Sequence, residues 1–237
     1  MDDVLVVGGA FVAVAAFMLV YVTIPAVRKW RRTAGAKPIK TGIGLRGGHQ
    51  RVVIEGKAVK LKDSVTSSMA EANCLAYSYK VEQRNSGSNS GNWATIQEEG
   101  EAAPFRVDDN TGRVNVNPGE NPYLDLSQRQ MEEFGWTDAN IGPVRTGKHR
   151  LRYAESRLDP ADFCCVVGYA TGTSDGFTIE PGYEGDRVII TDVSYRKLRR
   201  KMLKMAILVA LFSLVFGVVG IAALLDYFGV VDIPMDD

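Results

Sequence analysis

Cysteine and histidine are scarce in this sequence of 237 residues. It contains three cysteines and two histidines, which are Cys74, Cys164, Cys165, His49 and His149. The small, odd number of cysteines provides no framework of paired disulfides and is typical of a compartment where thiols stay reduced. Two of the cysteines lie inside FCCVVGYA, an apolar run that predicts a buried strand. We therefore expect core thiols, and no bound metal or other cofactor.

The sequence has no excess of either charge, since 28 Lys and Arg residues balance 28 Asp and Glu residues. This balance disfavours a nucleic-acid-binding protein. A phosphate-binding glycine loop is not predicted either, because GIGLRGG at 42–48 lacks the Lys-Ser/Thr ending and follows a basic linker. Charge is absent altogether from 4–27 and 205–225. About 20 apolar residues at about 1.5 Å each cross a bilayer core about 30 Å thick, so both runs predict transmembrane helices.

Basic residues flank each predicted span on one side only, in two collars at 28–40 and 196–204. The collar residues are Arg28, Lys29, Arg31, Arg32, Lys37, Lys40, Arg196, Lys197, Arg199, Arg200, Lys201 and Lys204. The terminal segments, including the acidic tail 226–237, carry Asp and neither Lys nor Arg. The positive-inside rule therefore predicts that both termini are extracytoplasmic and that residues 28–204 are cytoplasmic. The collars should lie at the membrane surface, where anionic headgroups attract them.

The segment 41–195 between the collars is predicted to be a soluble domain. Without the twelve basic collar residues and the six acids of the terminal segments, it keeps 16 basic and 22 acidic residues, a net charge of −6. Short strands are predicted at 51–61, at 74–83, from Trp93 through 104–116, and at 164–170, 176–180 and 187–193. Gly56 could mark a bulge or turn in the first of them. We predict a β-rich α+β domain, barrel-like or a curled antiparallel sheet, between two transmembrane helices.

Helices are scarcer within the domain. LSQRQMEEFG at 126–135 predicts a short helix with Ser127 as its N-cap. A second helix is predicted from Tyr195 into the second span, because nothing breaks the chain there. Loops are predicted for three polar, Gly- or Pro-containing segments, at 85–92, 118–125 and 142–150.

The stretch PFRVDDNTGRVNV at 104–116 raises the question of a metal loop. Asp108, Asn110 and Gly112 imitate part of a calcium-loop spacing, but the later ligands and the bidentate Glu are absent. Asp, Asn and Gly are also favoured in turns, because they tolerate positive φ and hydrogen-bond to their own backbone. The flanking strand residues favour a hairpin tip. The alternative is a ligand contact through Asp108, Asn110 and Arg113.

Several segments together resemble one family. They are IEGKAVKLKDSVTSSMAEANCLAYSYKVEQ, then Trp93, PFRVDDNTGRVNV and ESRLDPADFCCVVGYA. Their order and spacing are similar to those of the GIDE domain, also called the BAM or "beside a membrane" domain. That domain lies between the two membrane spans of mitochondrial-anchored ubiquitin ligases and their prokaryotic relatives. The resemblance therefore implies ubiquitin-protein transferase activity, which in the eukaryotic ligases depends on a RING finger after the second span.

The sequence departs from that implication. A RING needs eight Cys or His ligands for two zinc ions, and this sequence has three Cys and two His, with twelve residues after Leu225. We therefore expect a membrane-anchored binding module, a sensor, scaffold or adaptor at the cytoplasmic membrane surface. It would contact the lipid bilayer and a protein partner, and would not bind nucleic acid. The first alternative is a ligase-type family member or accessory that lacks its own RING.

The second alternative is a hydrolase. It would use His149, in a predicted basic loop, and the acidic cluster Glu98, Glu99 and Glu101, which is also predicted to lie in a loop. No nucleophile with a base can be identified for it. In the spans, Gly8, Gly9, Gly217 and Gly220 could allow close packing of the two helices or formation of a homodimer.

Overall fold

The computed structural model describes residues 2–25, 27–28, 31, 35–41, 50–84, 93–137, 149–173, 176–183 and 186–227. The chain forms two compact units, Met1–Gly35 with Arg196–Asp237 and Ala36–Tyr195. The helical elements are α1 (Asp2–Met18), a π-helical turn (Leu19–Thr23) and α2 (Tyr195–Tyr227). The strands are β1 (Lys37–Pro38), β2 (Gln50–Lys60), β3 (Val65–Thr66), β4 (Asn73–Cys74), β5 (Ala76–Arg84), β6 (Trp93–Ala102), β7 (Phe105–Asp108), β8 (Arg113–Val116), β9 (Tyr123–Asp125), β10 (Gln128–Thr137), β11 (His149–Leu158), β12 (Phe163–Thr173), β13 (Gly176–Glu180) and β14 (Ile189–Thr191).

Five strands of the unit Ala36–Tyr195 close into a barrel, in the order β2, β7, β8, β13, β12 and back to β2. All neighbours in this ring are antiparallel except β8 and β13, which are parallel. Numbered along the chain, the five strands run in the order 1-2-3-5-4, which is the order of an OB-fold barrel. Strands β14 and β9 extend the sheet from β12, and β1 lies parallel beside β2. The predicted β-rich architecture between two apolar helices is confirmed.

Two long insertions between barrel strands build a second sheet. The connection from β2 to β7 contains β5 and β6, and the connection from β8 to β12 contains β10 and β11. These strands pair in the order β10, β11, β5, β6, and every pair is antiparallel. The pairing of β11 with β5 joins the two insertions, so the second sheet exists only when both are folded.

The core of the barrel consists of alternate strand residues, as expected for side chains that point inward at every second position. Its largest fully buried members include Ile54, Phe105, Val107, Ile179 and Ile190. Burying such a side chain stabilises the folded state by about 1.5–3 kcal/mol relative to leaving it in water. The barrel is therefore a packed core rather than an open channel.

Gly56 lies at a close backbone approach, not at the bulge or turn that its position suggested. The pairing of β2 with β12 runs through it without a register shift, with Gly56 opposite Cys164. A Cβ at this position would lie 2.3 Å from the carbonyl oxygen of Asp108. Only glycine at position 56 therefore lets Asp108, the last residue of β7, pair with Lys57 of β2.

The helix predicted at 126–135 is wrong, because β10 occupies most of that segment. Ser127, the predicted N-cap, instead donates its backbone N–H to Asp192 Oδ2 at 2.9 Å. The segment has weak helical periodicity, and the ladder with β11 satisfies its backbone groups and overrides its local preference. The loop predicted at 118–125 is also partly wrong, since it contains β9. The loop predicted at 85–92 and most of the one at 142–150 lie outside the described residues.

The strands predicted at 51–61, 74–83, 164–170, 176–180 and 187–193 are each confirmed, with shifted ends in most cases. The helix predicted from Tyr195 is confirmed as well, since α2 is continuous to Tyr227.

The helical unit has two helices long and apolar enough to cross a membrane. The candidate spans are Val6–Thr23 and Tyr195–Leu225, and the apolar 18-residue windows within them have mean hydropathies of 2.3 and 2.8. Only 17% and 11% of these windows are buried, whereas the core helix of a soluble protein would be mostly buried. Large exposed side chains such as Phe17, Leu211 and Phe212 cover their outer faces. An apolar surface of this kind suits a lipid environment.

Small residues line the contact between α1 and α2. Buried positions recur every seven residues along α2, at Ala206, Ser213 and Gly220. On the N-terminal helix they are Gly8, Ala15 and, after an interval of eight, Thr23. The π-helical turn inserts one residue between Ala15 and Thr23, which keeps Thr23 on the same face. Thr23 Oγ1 then lies 3.0 Å from Ser213 Oγ in a buried hydrogen bond.

Two of the four span glycines lie in this contact. A Cβ at Gly220 would lie 2.9 Å from the backbone nitrogen of Val12, and a Cβ at Gly8 would lie 3.1 Å from Leu224 Cγ. A Cβ at Gly217 would make an ordinary contact with Ala15 at 3.8 Å, and one at Gly9 would have no neighbour within 4 Å. Close packing of the two helices is thus an interaction within one chain. The homodimer stays a prediction.

We expect Gly220→Val to separate the two helices, because its side chain would collide with the Val12 backbone, which cannot rotate away. The measurement is the yield of an intramolecular disulfide in a Thr23→Cys/Ser213→Cys chain in membranes. Gly220→Val should lower that yield by roughly fivefold or more, whereas Gly9→Val, the matched control, should leave it unchanged. An equal loss in both variants would contradict the contact, and a disulfide between two chains would indicate a dimer.

Candidate functional site

The hairpin between β7 and β8 turns over residues 109–112. Asp108 and Arg113 pair at its base, and Arg113 Nε donates to Asp108 Oδ2 at 2.8 Å. Asn110 has a φ of 66°, which asparagine tolerates, and its N–H donates to Asp108 Oδ1 at 3.0 Å. The hydrogen bond from Arg113, followed by that from Asn110, lowers the pKa of the Asp108 carboxyl. The predicted hairpin tip is confirmed.

Asp109 fixes the hairpin tip to the segment before β2. Its carboxylate accepts hydrogen bonds from the backbone N–H and the hydroxyl of Thr41, at 2.7 and 2.6 Å. It also accepts from Thr111 N, Thr111 Oγ1 and Gly112 N within the turn. Burial acts to raise the pKa of Asp109, but the hydrogen bonds from Thr41 and Thr111 outweigh it and lower the pKa to about 2. Asp109 therefore holds the hairpin tip against Thr41 through hydrogen bonds and is not part of the calcium-loop spacing.

The ligand contact predicted for Asp108, Asn110 and Arg113 stays a prediction. The structure brings these three residues together at the tip, where Asp108 is bound by both of the others. Among the residues that the structure describes, no group of three or more His, Cys, Asp or Glu side chains could hold a metal ion.

The predicted membrane-surface residues of the second collar occupy the first turns of α2. Their side chains are exposed, and they are Arg196, Lys197, Arg199, Arg200, Lys201 and Lys204. In the first collar, Arg28 and Arg31 are exposed, while Lys29 and Arg32 lie outside the described residues. Contact of the collars with headgroups stays a prediction.

All three thiols are buried and free. Burial, as the largest cause, raises the pKa of Cys74 to about 11 and that of Cys164 to about 12, and it also raises the pKa of Cys165. A thiol with a raised pKa holds little of the thiolate that acts as nucleophile or metal ligand. All three are therefore buried thiols, as the apolar run FCCVVGYA predicted for Cys164 and Cys165.

The acidic cluster lies in a strand, which corrects its predicted place in a loop. Glu98, Glu99 and Glu101 belong to β6. Successive strand residues point to opposite faces, so Glu98 is directed away from the other two and forms an ion pair with Lys80 at 3.0 Å. His149 begins β11 instead of lying in a loop, and its side chain is outside what the structure describes. No pair of general acid and base follows from these positions.

One face of the second sheet, which we call the Tyr–Glu face, presents tyrosine and glutamate side chains in two cross-strand rows. The first row runs Glu99, Tyr79, Glu155 and Gln130 across the four strands, and the second runs Gln97, Val81, Tyr153 and Glu132. The Tyr79 and Tyr153 rings stack with their centroids 6.0 Å apart. Met69, from the connection between β3 and β4, adds its side chain to these rings and to Glu132 around an open cleft of about 240 Å³.

Glu155 is the polar anchor of this face. It is fully buried, its Oε2 accepts from the Met69 backbone N–H at 2.6 Å, and its Oε1 lies 3.6 Å from Arg157 Nη1. The sequence patterns do not indicate this face as a site. The missing information was the partner strand, because β11 is about 70 residues away along the chain.

We expect Asp109→Asn to weaken the attachment of the hairpin tip, because a neutral amide accepts weaker hydrogen bonds than a carboxylate. The free energy of unfolding should fall by about 1–2 kcal/mol near pH 7. The folded-state pKa is below the unfolded one, so this stabilisation is present above about pH 4 and is lost as the pH falls toward about 2. Thermal unfolding midpoints of both chains in detergent, measured between pH 7 and 2, should converge at the acid end.

Asp108→Asn is the matched control for that measurement, since it removes the same charge one residue away. The Asp108 carboxylate accepts hydrogen bonds from Asn110 and Arg113, which lie in the same hairpin, so Asp108→Asn should change the thermal unfolding midpoint less than Asp109→Asn does. Equal midpoint changes in the two variants would show that the Thr41 contact contributes nothing.

The sequence model of one family, described as "GIDE: E3 Ubiquitin ligase", matches residues 77–225. No curated protein and no solved structure matches the chain. The match begins in β5, includes the whole Tyr–Glu face apart from Met69, and extends through the apolar part of α2. It covers more than half of the 237 residues. The chain belongs to the GIDE family.

Proposed function

We propose that this protein is a membrane-anchored binding module that acts as a sensor, scaffold or adaptor at the cytoplasmic membrane surface. The observation that carries the proposal is the open Tyr–Glu face of the second sheet. The barrel alone would satisfy the need for a packed core, yet two insertions extend from it and join into a sheet. Aromatic side chains are enriched at binding surfaces, where a small number of polar groups provides specificity.

The buried state of the reactive side chains supports binding rather than catalysis. The three thiols have raised pKa values, and the acids of the hairpin tip are engaged in hydrogen bonds that hold the turn. A hydrolase would need His149 close to the acidic cluster. Glu98, one of those acids, is paired with Lys80, and Glu99 accepts a hydrogen bond from Gln97 at 2.7 Å. That alternative predicts an activity that disappears in His149→Ala.

The ligase alternative follows from the family description. A RING takes eight zinc ligands, and these 237 residues hold three cysteines and two histidines. Ubiquitin transfer would therefore require a RING supplied from outside these residues. In that case this chain would recognise a substrate or partner, and the partner would bring the conjugating machinery.

The cytoplasmic placement of the domain rests on the collars. Exposed Arg and Lys side chains adjoin the apolar part of α2, and Arg28 and Arg31 follow the first apolar window. Each such residue near an anionic surface contributes about 1 kcal/mol to its attraction. Both collars favour the same side of the membrane.

We expect a membrane-impermeant maleimide to label Asp3→Cys from outside intact cells and not to label Arg113→Cys or Arg200→Cys. The two arginines are exposed, so their cysteine variants should react once the membrane is permeabilised. The unsubstituted chain is the control, because its own thiols are buried and should stay unlabelled in the folded protein. Labelling of position 113 in intact cells would overturn the predicted orientation.

A photo-crosslinking side chain at position 130 should capture a protein partner in native membranes, because Gln130 lies beside Glu132 on the same face of β10 and its replacement keeps the cleft lining intact. The matched position is 106, where exposed Arg106 lies on the outer face of the barrel. Adducts from 130 that are absent from 106, identified by mass spectrometry, would support the binding module. A RING protein or conjugating enzyme among them would favour the ligase alternative, and identical adducts from both positions would contradict a binding face on the second sheet.

A further inference from the structure

The cleft on the second sheet has the chemistry of a cation site. Its lining is Met69, Tyr79, Glu132 and Tyr153. The faces of aromatic rings carry negative electrostatic potential, so a cation within about 6 Å of a ring centroid is attracted to the ring. A thioether adds a soft, polarisable wall. Such a lining is more selective than a purely acidic surface, because a small hydrated ion gains little from the rings.

Two carboxylates beside the rings have no cationic partner within the described part of the chain. Glu132 accepts a hydrogen bond from Gln130 Nε2 at 3.1 Å, and Glu99 accepts one from Gln97 Nε2 at 2.7 Å. Neither forms an ion pair there, whereas Glu98 on the opposite face is paired with Lys80. On the cleft side, Glu132 and Glu99 are thus left for a ligand and Arg157 compensates the buried Glu155, whereas Lys80 compensates Glu98 on the other side.

A third carboxylate lies under the cleft. Glu155 is directly opposite Tyr79 in the pairing of β5 with β11, it is fully buried, and its Oε1 accepts no hydrogen bond. Arg157 is its nearest cation, at 3.6 Å. Burial is the largest cause that raises the pKa of Tyr79, to about 12, and Tyr153, Glu99 and Glu155 act in the same direction.

The form of the cation follows from the acceptors. Glu132 and the tyrosine hydroxyls can accept hydrogen bonds. A primary ammonium offers three donors to them and a quaternary ammonium offers none, so a primary ammonium fits these acceptors better. The acidic character of residues 41–195, with a net charge of −6, opposes contact of this face with anionic headgroups. A protein segment that presents a lysine is therefore favoured over a lipid headgroup.

We propose that the cleft between Met69, Tyr79, Tyr153 and Glu132 binds a lysine side chain of a partner protein, its ammonium on Glu132 and its alkyl stem along the two rings. This inference rests on the proposed binding-module function and names the chemistry of the partner. It also assigns Glu99 and Glu155 the role of setting the negative potential around the bound ammonium.

The test uses the full chain in a non-ionic detergent, labelled with 3-fluorotyrosine, with the Tyr79 and Tyr153 signals assigned through Tyr→Phe variants. Three probes are titrated by ¹⁹F NMR: acetyl-Gly-Lys-Gly-amide, its norleucine counterpart and O-phosphoethanolamine. The lysine peptide should shift both signals in a saturable way and bind about tenfold more tightly than the norleucine peptide. Glu132→Gln should weaken it by about fivefold, and Glu98→Gln, the matched change on the opposite face, by less than about 1.5-fold.

Three outcomes would overturn the inference. They are equal binding of the lysine and norleucine peptides, equal effects of the two glutamate variants, and tighter binding of O-phosphoethanolamine, which would indicate a lipid headgroup. Failure of the lysine site alone, with partner adducts still captured from position 130, would leave the binding module intact. Loss of those adducts as well would remove the proposed function.

Discussion

The pairing of β12 on both of its edges is the interaction on which the soluble domain depends. One edge pairs with β2 along Phe163–Ala170, and the other pairs with β14 and then with β13. The pairing with β2 closes the ring of five strands, so each of them has a hydrogen-bonded neighbour on both sides where the ring is closed. Closure also places Cys164 among the core side chains of the barrel, and the adjacent Cys165, which points to the opposite face of β12, is fully buried as well.

The second sheet depends on the barrel because its two halves come from different connections. Barrel closure brings the β2–β7 and β8–β12 insertions together, and β11 then pairs with β5 over eight residues. This ladder aligns Tyr79 with Glu155 and so creates the rows of the Tyr–Glu face. The buried Glu155 is tolerated because the Met69 N–H and Arg157 compensate part of its desolvation. An apolar residue at this position would avoid that desolvation cost, so the buried carboxylate supports the proposal that this face recognises a cation.

The helical unit is organised by a different physical constraint. Lipid is as apolar as leucine, so helices in a bilayer associate through close packing of small residues and through buried polar pairs. Gly8, Gly220 and the Thr23–Ser213 hydrogen bond provide both. The π-helical turn keeps Thr23 on the small-residue face where a regular α-helix would rotate it away. Glycines at 9 and 217 have room for a side chain, so the composition of a span alone does not identify its contact face.

The sequence by itself determined the two apolar helices, the charge of their flanks, the buried FCCVVGYA strand and the Asp-Asn-Gly hairpin tip, because hydropathy, periodicity and turn chemistry act over a few neighbouring residues. It also carried enough family pattern to indicate the GIDE family and a β-rich domain. Only the tertiary structure decided that 128–137 is a strand, that the glutamates of β6 lie on two faces, and that the Tyr79 ring stacks on the Tyr153 ring. Each of these depends on a partner strand far along the chain, and the free energy of that pairing exceeds the weak local preference of the segment.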